Sequence, residues 1–161
     1  MQLFHDTLET PIGELTIEAD STAVRTILFD QPIASRNPND VTRQCRQQLE
    51  EYFQGERTGF ALPLVFQGAA FQEEVWRALL HVPFAKTASY GEQARRIERP
   101  KAVRAGGAAN GQNKHTIVIP CHRVIGANGS LTGYGGGLER KKWLLEHEGR
   151  VAAKSLAAKS G

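Results

Sequence analysis

The most reactive combination in the 161-residue chain is Pro120-Cys121-His122-Arg123. The thiolate is the nucleophilic form of cysteine, and neighbouring positive charge lowers the thiol pKa from about 8.5 toward neutrality. With His122 and Arg123 beside it, Cys121 is expected to be an activated nucleophile. Adjacent side chains in an extended segment point to opposite sides, so His122 serves as a base only where the chain turns or a water bridges the two. Glu148 is a third candidate. It falls in the last turn of an expected helix, where the macrodipole disfavours a carboxylate by roughly 0.3–1 kcal/mol unless a partner compensates. His122, His147 and plain solvent are the alternatives, and the sequence by itself favours solvent. If Glu148 holds His122, the three residues form a nucleophile, a base and an orienter.

Cys45 is the only other cysteine. Two cysteines are too few for a disulfide framework and leave no CxxC pair for zinc, so no metal is expected. Cys45 lies within a stripe of Val41, Leu49, Tyr52 and Phe53 at helical spacing, which marks it as a buried, structural thiol. Hydrophobic residues at 40% and charged residues at 23% suit a globular chain, with no apolar run long enough to cross a bilayer. The opening residues Met1 to Asp6 lack the basic and apolar regions of a secretory signal, so a cytoplasmic location without membrane contact is expected.

These side chains need elements to position them. Short strands are expected before residue 30, with Pro11-Ile12-Gly13 turning between the first two, then a loop over 31–39 and a helix capped by Asp40 and ending at Gly55. Residues 59–68, with Pro63 and two glycines, read as a linker. A helix over 70–80 follows, stopped by Pro83, then short helices near 91–97 and 101–110 broken at Arg99-Pro100. Ile117 to Ile119 is expected as a buried strand or extended segment, and 138–148 as a final helix stopped by Gly149. The fold class is thus an α/β N-terminal domain (a small antiparallel sheet plus helix) over 1–66. A mostly helical C-terminal domain with a helix-turn-helix follows over 67–150, and 151–161 is expected to be a disordered tail.

The net charge of +3 permits a nucleic-acid partner without implying one. Its distribution is more telling: Arg95, Arg96, Arg99, Lys101 and Arg104 meet only Glu98 across the expected helix-turn-helix. The second helix is unusually bare, with Ala105-Gly106-Gly107-Ala108-Ala109 in its interior, although each glycine costs about 1 kcal/mol relative to alanine. Close packing against another helix is one explanation. Insertion into a minor groove only about 6 Å wide is the other. An arginine such as Arg104 could then fill the gap left by an extruded base.

The stretch Ile119-Pro120-Cys121-His122-Arg123-Val124 resembles the active-site signature of the O6-alkylguanine-DNA alkyltransferases. Further matches run from Phe71 to Gly149 and include Ser89-Tyr90-Gly91, Arg104 to Ala108, Asn110 to Asn113, Thr132 to Gly137 and Trp143 to Gly149. The first 65 residues match more loosely, mainly through Thr10-Pro11-Ile12-Gly13 and Tyr52-Phe53. The resemblance implies that Cys121 accepts the alkyl group, that His122 acts as base through a water, and that Glu148 orients His122. It also implies that Tyr90 helps rotate the nucleotide and donates a hydrogen bond to the base, while Asn113 braces the active-site segment. Arg104 is implied as the finger replacing a flipped guanine, with Ala102, Val103, Gly106 and Arg123 as further substrate-binding positions. Tyr134 and Gly135 are placed in a loop closing over the guanine; family members often have serine where Gly135 stands.

The implied partner is double-stranded DNA containing O6-methylguanine or a larger O6-alkylguanine, met by a monomer without cofactor. O4-methylthymine as a second substrate and cooperativity on DNA stay open. Transfer to sulfur yields a thioether, so each molecule is expected to act once. A lesion-binding relative without the acceptor is disfavoured by Cys121, and a regulator-type relative by the lack of room for a zinc-bearing domain. A cysteine hydrolase differs in turning over.

Overall fold

The structure, a computed structural model, describes residues 1–160 and divides into two compact units. The first comprises residues 1–68 together with 114–118; the second takes 69–113 and the chain after 118.

In the first unit, β1 (Phe4–Thr10), β2 (Gly13–Ala19) and β3 (Val24–Phe29) form an antiparallel sheet in that order. The first hairpin closes where Thr10 Oγ1 donates to the Gly13 carbonyl at 2.6 Å, and Gly13 adopts φ +124°, a conformation open mainly to glycine. Leu8, Leu15, Ile17, Val24, Ile27 and Phe29 are buried. Against them packs α1 (Asp40–Phe53), which buries Cys45, Leu49 and Tyr52 at the spacing read from the sequence. Its cap is Asn39 rather than Asp40. Asn39 accepts from the Thr42 N–H at 2.9 Å while Thr42 Oγ1 accepts from the Asn39 N–H, so the residue that closes the capping box precedes the acid. Burial pushes the Cys45 thiol up to about 12, so it stays protonated and inert.

The expected linker is used as structure. Val24 donates to Pro63 at 2.8 Å and receives from the Val65 N–H at 3.0 Å, laying this strap along β3. Residues 114–118 serve the same strand further on: Ile27 donates to the Lys114 carbonyl and accepts from the Thr116 N–H, and His115 Nε2 lies 3.0 Å from the Val24 carbonyl. The buried strand or extended segment expected at Ile117 to Ile119 is instead a short detour with isolated bridging before it. Ile117 sits at φ +73°, a region costly for a β-branched residue by roughly 1–3 kcal/mol.

The second unit contains α2 (Ala70–Leu79), β4 (Ala88–Ser89), α3 (Tyr90–Arg96), α4 (Val103–Gly111), β5 (Val124–Ile125) and α5 (Leu138–Ser160). Strands β4 and β5 pair in parallel. Ser89 and Glu92 form a capping box that fixes the start of α3 directly at Tyr90. Between α3 and α4, the buried amides of Gln93 and Asn110 exchange hydrogen bonds of 2.7 and 3.1 Å. The indole of Trp76 donates to the Ala109 carbonyl at 2.8 Å, which ties α2 to the same helix. Helix α5 passes through Gly149 and continues to Ser160. Of the tail expected to be disordered, residues 151–160 are therefore helical, because Gly149 lies in mid-helix without a break and alanines and lysines favour helix beyond it, while position 161 lies outside the described residues. Among the described residues no helix is long and apolar enough to cross a membrane.

Candidate active site

Cys121, His122 and Arg123 form a single 3-10 turn, entered through Pro120, whose carbonyl accepts from the Arg123 N–H at 3.0 Å. All three are buried. The turn disposes of the difficulty raised by an extended chain, since its residues no longer alternate between two faces. Asn113 stitches the detour shut: its Nδ2 donates to the Ile119 carbonyl at 2.8 Å and to Cys121 Sγ at 3.2 Å.

Glu148 does not face solvent. Its side chain is fully buried, and it gathers four donors. Oε2 accepts from His122 Nε2 at 2.7 Å and Arg123 Nη2 at 3.1 Å; Oε1 accepts from Arg123 Nε at 2.8 Å and the Ala85 N–H at 3.1 Å. Burial opposes ionisation here, but the hydrogen bonds and charges of His122 and Arg123 outweigh it and hold the carboxyl well below the usual range. His147, the other sequence candidate for this partner, instead stacks on Trp143 with ring centroids 4.8 Å apart.

These contacts decide the state of His122. Burial lowers its pKa against the opposing pull of Glu148, so the imidazole is neutral at pH 7. An ionised carboxylate can only accept, so Nε2 carries the proton and Nδ1 is the basic atom. Nδ1 is buried and has no protein hydrogen-bond partner among the described residues.

The electrostatics of the thiol depart from the sequence expectation. Burial pushes Cys121 up to about 11, with Asn113 and Lys141 pulling it down. His122 is neutral and Arg123 is spent on Glu148, so neither supplies the free positive charge that adjacency suggested. Arg123 is also withdrawn from substrate binding: its third nitrogen, Nη1, donates to the Val82 carbonyl at 2.8 Å.

Tyr90 is half-buried at the start of α3, and its hydroxyl donates to the Thr132 carbonyl at 2.8 Å while Thr132 Oγ1 lies 3.2 Å from the same oxygen. Tyr134 and Gly135 lie in the loop between β5 and α5, where a Cβ on Gly135 would stand 3.0 Å from the Gly111 carbonyl. Arg104 and Val103 are exposed on the first turn of α4, and Ala102 is half-buried just before it. Gly106 is not part of that row. It is buried toward α3, where a Cβ would come 3.2 Å from Gln93 Oε1, and Gly107 similarly faces the Tyr90 ring. Close helix packing thus accounts for both glycines. Arg99, Pro100, Lys101 and Ala102 line an open depression beside them.

Sequence reasoning missed Lys141. It is wholly buried, and its ammonium donates to the carbonyls of Val124 and Thr132 at 2.6 and 2.7 Å. The available signal was its spacing: positions 141, 144 and 148 share one helical face, so a lysine there points inward with Leu144 and Glu148.

The two halves of the chain match two family models, described as the ribonuclease-like domain (residues 3–66) and the DNA binding domain (residues 70–150) of 6-O-methylguanine DNA methyltransferase. A methylated-DNA–protein-cysteine methyltransferase of Mycolicibacterium paratuberculosis is 46% identical over 157 residues, covering 93% of this chain and 94% of that protein. One from Methanosarcina acetivorans is 40% identical over 154 residues, covering 91% and 99%. Among solved structures, Mycobacterium tuberculosis OGT in complex with DNA superimposes with a TM-score of 0.85 at 42% identity, covering 91% of this chain and 93% of that one. With the two family models matching residues 3–66 and 70–150 and relatives 40% and 46% identical along more than nine-tenths of its length, the chain belongs to the methylated-DNA–protein-cysteine methyltransferase family.

Proposed function

We propose that the protein repairs O6-alkylguanine in duplex DNA by moving the alkyl group, once, onto Cys121 Sγ. The observation that carries this reading is a neutral His122 whose Nε2–H is fixed by Glu148, beside a cysteine held by Asn113. In that state Nδ1 can take the thiol proton through an intervening water. Sulfur then attacks the alkyl carbon, the carbon–O6 bond breaks, and its electron pair leaves on guanine, which recovers the proton from the imidazolium. Hydrogen-bond donors aimed at the base lower this barrier by stabilising the developing negative charge. Tyr90 and the backbone of the Tyr134-Gly135 loop are the donors assigned to that task.

The target carbon is inaccessible within stacked DNA, so the nucleotide must be everted. In this reading α3 and α4 act as a helix-turn-helix, with Ala102 and Val103 against the groove and Arg104 in the vacated stack. The exposed cations Arg95, Arg96, Arg99 and Lys101 meet phosphates, a contact set that makes binding fall steeply with salt.

The test is stoichiometry. Incubation with a duplex carrying labelled O6-methylguanine should leave label on protein, at no more than one group per chain, and peptide mass spectrometry should place it on Cys121. Repeated turnovers, or label on Cys45, would remove the reading.

A further inference from the structure

The exposed cations around α3 and α4 are not all alike. Arg95, Arg96, Lys101 and Arg104 have no salt bridge among the described residues, whereas Arg99 is held by a carboxylate. Its Nε and Nη2 donate to Oε1 and Oε2 of Glu74 at 3.4 and 3.2 Å, a two-point contact, and its guanidinium carbon lies 5.9 Å from the centroid of the Phe71 ring. Phe71 and Glu74 stand three residues apart on α2, so one face of that helix supplies both a flat support and a counter-charge.

The backbone fixes where Arg99 starts. Helix α3 ends in a Schellman turn: the Glu98 N–H donates to the Arg95 carbonyl and the Arg99 N–H to the Ala94 carbonyl, each at 2.9 Å, with Glu98 at φ +60° where glycine is usual. The Arg99 carbonyl in turn accepts from the Ala102 N–H at 2.8 Å. Both backbone groups of Arg99 are therefore satisfied, and its side chain is the movable part. The side chains of Arg99 and Glu74 are 56% and 38% exposed, so their ion pair lies against water, where such pairs contribute little and exchange readily.

A guanidinium presents the same planar fork to a carboxylate and to a phosphate. Glu74 thus occupies on Arg99 the position that a backbone phosphate of DNA would take, next to the exposed Lys101 and the depression that both cations line. Resting on the reading of α3 and α4 as the DNA-binding element, we propose that Glu74 is an internal stand-in for phosphate, which holds Arg99 over Phe71 in the free protein and is displaced when duplex binds. Two effects of Glu74 oppose each other. It keeps the guanidinium in the orientation a phosphate needs, but it competes with that phosphate and, once displaced, faces the DNA as a like charge. The Phe71 ring goes on supporting the guanidinium without Glu74, so competition is the larger effect, and it limits the grip on undamaged duplex.

The experiment is a double-mutant cycle on affinity for a fluorescent, unmodified duplex, measured by anisotropy at about 0.1 M salt, where charges more than about 10 Å apart are largely screened. Glu74→Gln should bind about two- to fivefold more tightly than wild type. In an Arg99→Gln background the same substitution should be without effect. Reaction of Glu74→Gln with free O6-benzylguanine, which brings no phosphate, should match wild type; a slower reaction would place Glu74 in the alkyl-transfer site and overturn the proposal. A Glu74→Gln variant that binds no more tightly than wild type would make Glu74 a mere brace for the turn. An equal gain in both backgrounds would reflect only the loss of a distant negative charge, and either result is equally fatal. Wild-type protein without affinity for duplex removes the DNA-binding reading together with this proposal, whereas a failed cycle in a wild type that binds removes the proposal alone.

Discussion

His122 Nε2 lies 2.7 Å from Glu148 Oε2, and this one hydrogen bond leaves Nδ1 as the only basic nitrogen of the imidazole. Adjacency to Cys121 gives His122 no such direction; the carboxylate 26 residues later supplies it.

Glu148→Gln should damage both stability and reaction. It leaves the buried Arg123 guanidinium without a counter-charge, a defect expected to cost roughly 3–5 kcal/mol of unfolding free energy. The amide can also present N–H toward Nε2, favouring the wrong tautomer. Single-turnover transfer should fall at least about a hundredfold, in line with loss of a positioned base. Denaturant titration and rapid-quench kinetics measure the two effects.

Cys121→Ala should abolish transfer while leaving affinity for alkylated duplex unchanged in gel-shift or anisotropy titrations. Transfer that survives would point to another acceptor.

On the proposed reading, in which Arg104 fills the vacated stack, Arg104→Ala should slow repair in duplex by roughly one to two orders of magnitude. Reaction with free O6-benzylguanine, which needs no eversion, should be nearly unaffected. Equal losses on both substrates would deny Arg104 its place in the stack.

Acid should destabilise the protein in two stages. Burial lowers the pKa of His122 and of His115 below the ordinary 6.5, so the unfolded chain binds their protons more readily and stability begins to fall as pH drops below about 6.5. The lowered Glu148 carboxyl contributes stability that is fully present above its ordinary 4.5 and is lost as pH falls further. Thermal midpoints recorded from pH 7.5 to 3 should decline across both ranges, and Glu148→Gln should flatten the lower one.

Gly135→Ala should strain the loop over the site. The added methyl would meet the Gly111 carbonyl at 3.0 Å, backbone against backbone, so the loop must move rather than a side chain rotate. Overpacking of this kind costs about 1–3 kcal/mol. A several-fold slower reaction with benzylguanine, together with a lower thermal midpoint, is the expected outcome.

Much of this was legible in the residue pattern because periodicity and capping are local properties. The α1 stripe of Cys45, Leu49 and Tyr52, the break after Arg99-Pro100 and the helix starting near Ala70 all follow from near neighbours in the chain. The candidate site residues were named chiefly through the family signature. Their partners were not legible: that Glu148 reaches His122, that Arg123 turns inward and that Lys141 is buried all depend on how α5 packs on the Cys121 turn, a long-range outcome. The thiol illustrates the difference well. Neighbouring cations suggested a lowered pKa, yet desolvation dominates once the turn is buried and its arginine is paired. Helix boundaries erred where a residue type stood for a signal it did not carry, as with Gly149 in mid-helix and Asp40 one place after the true cap.

The loan of residues 114–118 to the first unit has a consequence for how the chain is made. A ribosome delivers β1 to β3 and α1 well before it delivers Lys114, so β3 emerges with part of its edge unpaired and must wait about eighty-five further residues for His115 and Thr116 to arrive. Until then the nascent sheet is incomplete, which makes it a natural client for chaperones and gives a fragment cut after residue 68 a raw hydrogen-bonding edge. Separate production of the two halves should therefore yield material that aggregates more readily than the intact polypeptide.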